Sequence, residues 1–178
     1  MRARLTQHVA RLREAVPQSQ ASWSHGQNIH LTLKFLGETP QSRVGDLSQA
    51  TSRVVEGFSP FTIVVEQNGV FPKHGPPRVL WIGITDQSGK LVELHSRLED
   101  ECAKEGFPKE ERPFHPHLTL ARLRKPPGAR TLAFAHREMK FEAIEVKVSE
   151  LLVIRSELSS EGSRYTVIST HRLGTAPR

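Results

Sequence analysis

A chain of 178 residues has the length of one compact domain, and 37% hydrophobic residues with a mean hydropathy of -0.43 place it among soluble globular proteins. No apolar run approaches about 18 residues, so no membrane-spanning helix is expected, and the charges scattered through the opening M-R-A-R-L-T-Q-H-V-A-R-L-R lead to the expectation that it is not a secretory signal. Lys and Arg number 25 against 19 Asp and Glu, so the formal charge of +6 favours anionic partners at long range; the basic residues are dispersed, unlike the tail of a nonspecific nucleic-acid binder. A single cysteine, Cys102, cannot close an internal disulfide, and a reducing, cytoplasmic setting is expected.

Leu5, Val9, Leu12 and Val16 recur at helical spacing up to Pro17, predicting a helix over 3–16. A polar loop to Gln27 follows. Residues 28–36 alternate as a strand, with Ile29, Leu31, Leu33 and Phe35 on the core side and His30, Thr32 and Lys34 on the other. Thr39-Pro40 reads as the cap and first turn of a helix reaching Glu56. Strands are predicted at 61–66 and 78–84, separated by a Gly/Pro-rich loop that holds Phe71. Leu91, Leu94, Leu98 and Cys102 mark a helix that Gly106 ends. H-L-T-L-A-R-L is the next strand, the basic and proline-bearing 122–127 interrupt order, and 139–148, 150–156 and 164–171 read as closing strands. Helices and antiparallel strands in that order predict an α+β fold.

The chemistry lies in a repeated string. H-L-T-L occurs at His30–Leu33 and again at His117–Leu120, 87 positions apart (117 − 30). A histidine and a hydroxyl two residues apart in an extended chain share one face. Two such strands facing one substrate offer two imidazoles and two hydroxyls. Imidazole has a reference pKa of about 6.5, so one ring can accept a proton while the other donates one near neutrality. Hydrolysis of a cyclic ribose phosphate needs that pair of transfers, and the threonine hydroxyls can hold nonbridging phosphate oxygens. No metal is required in principle. His115-x-His117 is half of a chelating pair, but no further ligands accompany it, and a supporting role is expected of His115. Trp81, in an apolar alternation, is expected in the core, whereas Phe71 is a candidate for stacking on a base.

The strings I-H-L-T-L-K-F-L-G-E, P-P-R-V-L-W-I-G-I, F-H-P-H-L-T-L-A-R and S-E-L-S-S-E-G-S-R-Y-T-V together resemble the 2H phosphoesterases. Within them the chain is most similar to the RNA 2′,3′-cyclic phosphodiesterases, called ThpR, LigT or 2′-5′ RNA ligases. The resemblance implies one bilobal 2H phosphoesterase domain over 1–178, with two antiparallel sheets lining a central cleft and helices outside. The first strand usual in that family is expected to be missing here. The resemblance also implies hydrolysis of a terminal RNA 2′,3′-cyclic phosphate to a 2′-phosphate, with reversible 2′-5′ joining as a companion activity. His30 would protonate the departing 3′ oxygen and His117 would activate water. Thr32, Thr119 and Arg122 would bind phosphate. Arg122 stands an odd three positions from Thr119, so it needs a bulge, a strand end or its own reach to join them. Lys34, Phe71, Arg124 and Lys125 are candidate RNA contacts. No cofactor, membrane or obligate protein partner is expected; the partner is RNA with a cyclic phosphate end, tRNA fragments among the candidates. Two alternatives stand beside this: a phosphodiesterase for another cyclic nucleotide or ADP-ribose cyclic phosphate, and an inactive RNA-binding module.

Overall fold

The computed structural model describes residues 1–124, 128–159 and 162–174. Among these described residues, four helices, α1 (Arg2–Ala15), α2 (Val44–Val55), α3 (Lys90–Lys104) and α4 (Ala129–Glu138), accompany seven strands. The strands are β1 (Ala21–Trp23), β2 (Phe61–Phe71), β3 (Val79–Thr85), β4 (His117–Leu123), β5 (Ile144–Val148), β6 (Glu150–Ser159) and β7 (Gly162–Arg172). One sheet has the order β1-β4-β3-β2-β5, and β6 and β7 form a second, two-stranded sheet. The registered pairs are antiparallel, so the α+β class with two antiparallel sheets and flanking helices is as expected. Among the described residues no helix is long and apolar enough to cross a membrane.

The chain divides into two compact units. The first comprises Met1–Thr32, Val64–Thr85 and His115–Val146. Its interior is lined by Leu5, Leu12 and Val16 of the α1 segment, Leu132 and Ala133 of α4, and Leu80, Ile82, Leu118 and Leu120 of the sheet, all buried. The helical face of α1 is Leu5, His8 and Leu12; His8 takes the buried position and the expected Val9 is only half-buried. Helix α4 departs from the sequence pattern, in which the prolines and charges before it read as the end of order. Its buried face, Ala129, Leu132, Ala133 and His136, nevertheless has the 3–4 spacing of a helix.

The second unit comprises Leu33–Ile63, Asp86–Phe114 and Lys147–Arg178. It contains α2, α3 and the β6–β7 hairpin. Leu91, Leu94, Leu98 and Cys102 are buried along α3 as their spacing predicts, and Gly106, at φ 79°, follows its end. Burial raises the Cys102 thiol above its usual range. Arg53 of α2 joins Glu101 and Glu105 beside it at 2.7 and 2.6 Å. Thr39 caps no helix: a 3-10 turn, Gln41–Arg43, precedes α2 and neither start has a side-chain cap.

Strand boundaries move in two places that bear on the site. Strand β2 runs on through the predicted loop to Phe71. The predicted strand over 28–36 reduces to a single antiparallel bridge, Leu31 to Leu118. A 3-10 turn takes up Gly26–Asn28. Without a ladder the alternation past Leu31 has no sheet to bury it, and Phe35, expected in the core, is 76% exposed.

Candidate active site

The register of the first unit's sheet places the repeated motifs side by side. Leu31 pairs with Leu118 antiparallel, so the flanking residues of that pairing are His30 with Thr119 and Thr32 with His117. Side chains alternate across a strand, so these four share the face opposite the two leucines. All four are half-buried, while Leu118 is buried behind them. Each histidine therefore faces the threonine of the other motif, a two-fold arrangement that the sequence spacing alone does not reveal.

The two imidazoles are held the same way. Nδ1 of His30 donates to the backbone oxygen of Asn28 at 2.7 Å, and Nδ1 of His117 donates to that of His115 at 2.6 Å. A carbonyl only accepts, so in both rings Nδ1 carries the hydrogen. In the neutral form the lone pair then lies on Nε2, the nitrogen that can take or return a proton. His115 thus acts on His117 through its backbone oxygen. Among the described residues no group of three His, Cys, Asp or Glu side chains is arranged to hold a metal ion.

Arg122 joins the same face through a bulge. Thr119 pairs with Trp81 and Arg122 pairs with Val79, while Leu80 pairs with Ala121, so Leu120 is the extra residue of β4. Trp81 and Val79 are two apart on β3 and share a face; the bulge brings Arg122 onto it with Thr119. Leu120 and Ala121, consecutive in sequence, are both fully buried, as such a kink requires. Ser22 of β1 lies across from Arg122 on its other side. Arg124 is exposed just past β4, and Lys125 lies outside the described residues.

Lys34 is engaged within the protein. In the second unit its Nζ lies 2.6 Å from Glu99 and 2.7 Å from the Pro108 oxygen, with 5% of its side chain exposed. Glu99 also accepts the Glu110 N–H at 3.0 Å. The ammonium is paired with a buried carboxylate, so a substrate contact by Lys34 would have to compete with that ion pair.

The expectation that Trp81 lies in the core is corrected: the residue lies on the histidine face, not with Leu80 and Ile82. Its ring lies over Gly69, where an added Cβ would stand 1.9 Å from the indole. The Trp81 ring centre is 5.0 Å from that of Phe71 and 6.2 Å from that of His117. Phe71 meets His117 edge-on at 5.1 Å. Phe71 is the last residue of β2, so a strand rather than a loop fixes it. A cavity of about 180 Å³ opens beside this cluster.

Behind Trp81 runs a buried pair that the sequence pattern does not announce. His136 Nε2 donates to the Trp81 backbone oxygen at 3.0 Å, and His8 Nε2 lies 3.1 Å from His136 Nδ1. With His136 Nε2 donating to a carbonyl, a neutral His136 ring accepts at Nδ1 from His8 Nε2–H. Burial, then the neighbouring His136 and Arg11, lowers His8 to about 4, and burial lowers His136 as well. The available signal was the spacing Leu5, His8, Leu12 on one helical face.

These features fall within a known pattern. The 2′-5′ RNA ligase superfamily model matches residues 2–159. RNA 2′,3′-cyclic phosphodiesterase of Thermotoga maritima is 32% identical over 148 residues, covering 83% of this chain and 77% of that one. The protein of that name from Methanothermobacter thermautotrophicus is 31% identical over 172 residues, covering 95% and 92%. In structure, TT0787 of Thermus thermophilus superposes with a TM-score of 0.78 at 26% identity, covering 97% of this chain and 91% of that one. Escherichia coli LigT complexed with 3′-AMP shares the fold with a TM-score of 0.74 at 24% identity, covering 98% and 94%. The class is that of the 2H phosphoesterases, and the chain belongs to its 2′-5′ RNA ligase superfamily, in the RNA 2′,3′-cyclic phosphodiesterase (ThpR/LigT) family.

Proposed function

We propose that this protein is a phosphodiesterase that opens the 2′,3′-cyclic phosphate at an RNA 3′ end and leaves a 2′-phosphomonoester. The observation that carries the reading is the Leu31–Leu118 pairing, which sets two Nδ1-anchored histidines and two threonines on one sheet face. His117, neutral, takes a proton from water as the water attacks phosphorus. His30, protonated, gives one to the 3′ oxygen as the P–O3′ bond breaks. The electron pair of that bond goes to the departing oxygen, and the 2′ ester bond remains. Thr32 and Thr119 donate hydrogen bonds to the nonbridging oxygens, whose charge grows in the transition state. Arg122 adds a charge-assisted contact to the phosphate or the adjoining nucleotide. With an RNA 5′-hydroxyl in place of water, the same pair of transfers makes a 2′-5′ linkage. Its reversal through the cyclic phosphate needs no nucleotide cofactor.

The test is an RNA oligonucleotide with a 2′,3′-cyclic phosphate end, incubated with chelator-treated protein, and the two phosphomonoesters resolved. The expected product is the 2′-phosphate. His30→Ala and His117→Ala, each still folded, should each lose about 10²–10⁴ in turnover. A 3′-phosphate product overturns the assigned bond cleavage, and full activity in both variants overturns the paired mechanism. The native rate should follow a bell-shaped pH dependence, since one ring must be neutral and the other charged.

A further inference from the structure

We propose, building on the RNA-end reading above, that Gln67 reads the edge of a nucleobase seated beside Phe71 and Trp81, and so determines base preference. Gln67 has φ 64° and is the one non-glycine at positive φ among the described residues. A glutamine in that region carries backbone strain that glycine would avoid. It sits in a bulge of β2, where Glu66 pairs with Gly83 and Asn68 with Ile82, leaving Gln67 without a cross-strand partner. Gly83 pairs on its other side with His117. A bulge at that place turns a side chain away from the ladder, and Gln67 is exposed at the wall of the cavity that His117, His115, Phe71, Trp81 and Thr85 also line.

The size and chemistry of that cavity select the ligand. The depression, about 180 Å³ and open to solvent, has room for a ring system. Two aromatic rings give stacking that any base satisfies. Discrimination needs a directed polar group, and the neighbouring Glu66 is engaged by the Thr85 hydroxyl at 2.7 Å. The Gln67 amide carries both a donor and an acceptor, the pattern complementary to the adenine edge. The base belongs either to the nucleoside that carries the cyclic phosphate or to a second nucleoside whose 5′-hydroxyl approaches His117 in place of water.

Native protein, Gln67→Gly and Gln67→Asn are compared in two arms. The first uses short RNAs ending in a 2′,3′-cyclic phosphate and differing only in the terminal base. In the second, free adenosine, guanosine, cytidine and uridine compete against one fixed substrate. Native protein should favour adenine by about tenfold in one arm. Gln67→Gly should compress that spread to within about twofold without lowering the melting temperature, because glycine suits the positive φ. Gln67→Asn keeps the amide and tolerates this backbone, and should retain part of the spread. Loss confined to the first arm assigns the base to the nucleoside bearing the cyclic phosphate; loss confined to the second assigns it to the second nucleoside. Unchanged profiles in both arms, or a native protein blind to the base, overturn the assignment. If native protein turns over none of the RNAs, the phosphodiesterase reading has failed. Calorimetric titration with the four nucleoside 3′-monophosphates then decides the role of Gln67 on the same criterion.

Discussion

At Gly69 a single added carbon would stand 1.9 Å from the Trp81 ring, closer than any real contact. The indole can lie flat on β2 only because that residue has no side chain. Gly69→Ala should therefore force Trp81 off its seat beside His117, cost about 1–3 kcal/mol, and perturb turnover as well as the melting temperature. Gly45 is the control. An added Cβ there meets nothing within 4 Å, and the residue sits inside α2. Gly45→Ala should raise stability by about 0.4–1 kcal/mol and leave turnover alone, as thermal melts and initial rates will show. Sequence alone does not separate these two glycines, because what distinguishes them is a ring that arrives from another strand.

At the scale of elements, α1, α4 and β3 are tied by the line His8–His136–Trp81. His8 is lowered to about 4 in the folded protein, against about 6.5 when unfolded. Between those values the unfolded state binds more protons, so stability rises with pH across that window and falls as pH drops from about 6.5 toward 4. His136, also lowered, acts in the same direction. Urea melts from about pH 4 to 7 should show this slope, and His8→Gln should flatten it. The β4 bulge is a second device of this scale. It turns Arg122 to the face of Thr119 and leaves Arg124 beyond the strand. Arg122→Ala should raise KM for the cyclic-phosphate RNA by about tenfold, the loss of one charged hydrogen bond. Arg124→Ala should change it far less. Equal effects of the two substitutions would deny the bulge its proposed role.

Across the whole molecule, a formal charge of +6 acts on an anionic substrate before any contact forms. Raising salt should lower kcat/KM for RNA more than kcat, because salt screens encounter rather than the bonded complex. A salt-independent kcat/KM would remove that contribution. The Lys34 charge is locally balanced by Glu99 within the second unit.

The repeated H-L-T-L, its alternation and the buried stripe of α3 are legible in the sequence, because periods of two and about 3.6 residues are local properties of a chain. They are enough to indicate the α+β class and to single out both histidines and both threonines as candidates. Pairing and register are not legible, since they depend on which residue of a distant strand stands opposite. That long-range choice crosses each histidine with the other motif's threonine, rotates Arg122 onto their face, and brings Trp81 out of the expected core to stand with them. It also withdraws Lys34 into an ion pair and buries His8 against His136. Residue types and their spacing are enough to say which groups can do the chemistry. Which of them meet is set only on folding, because a contact between strands is a property of two segments at once.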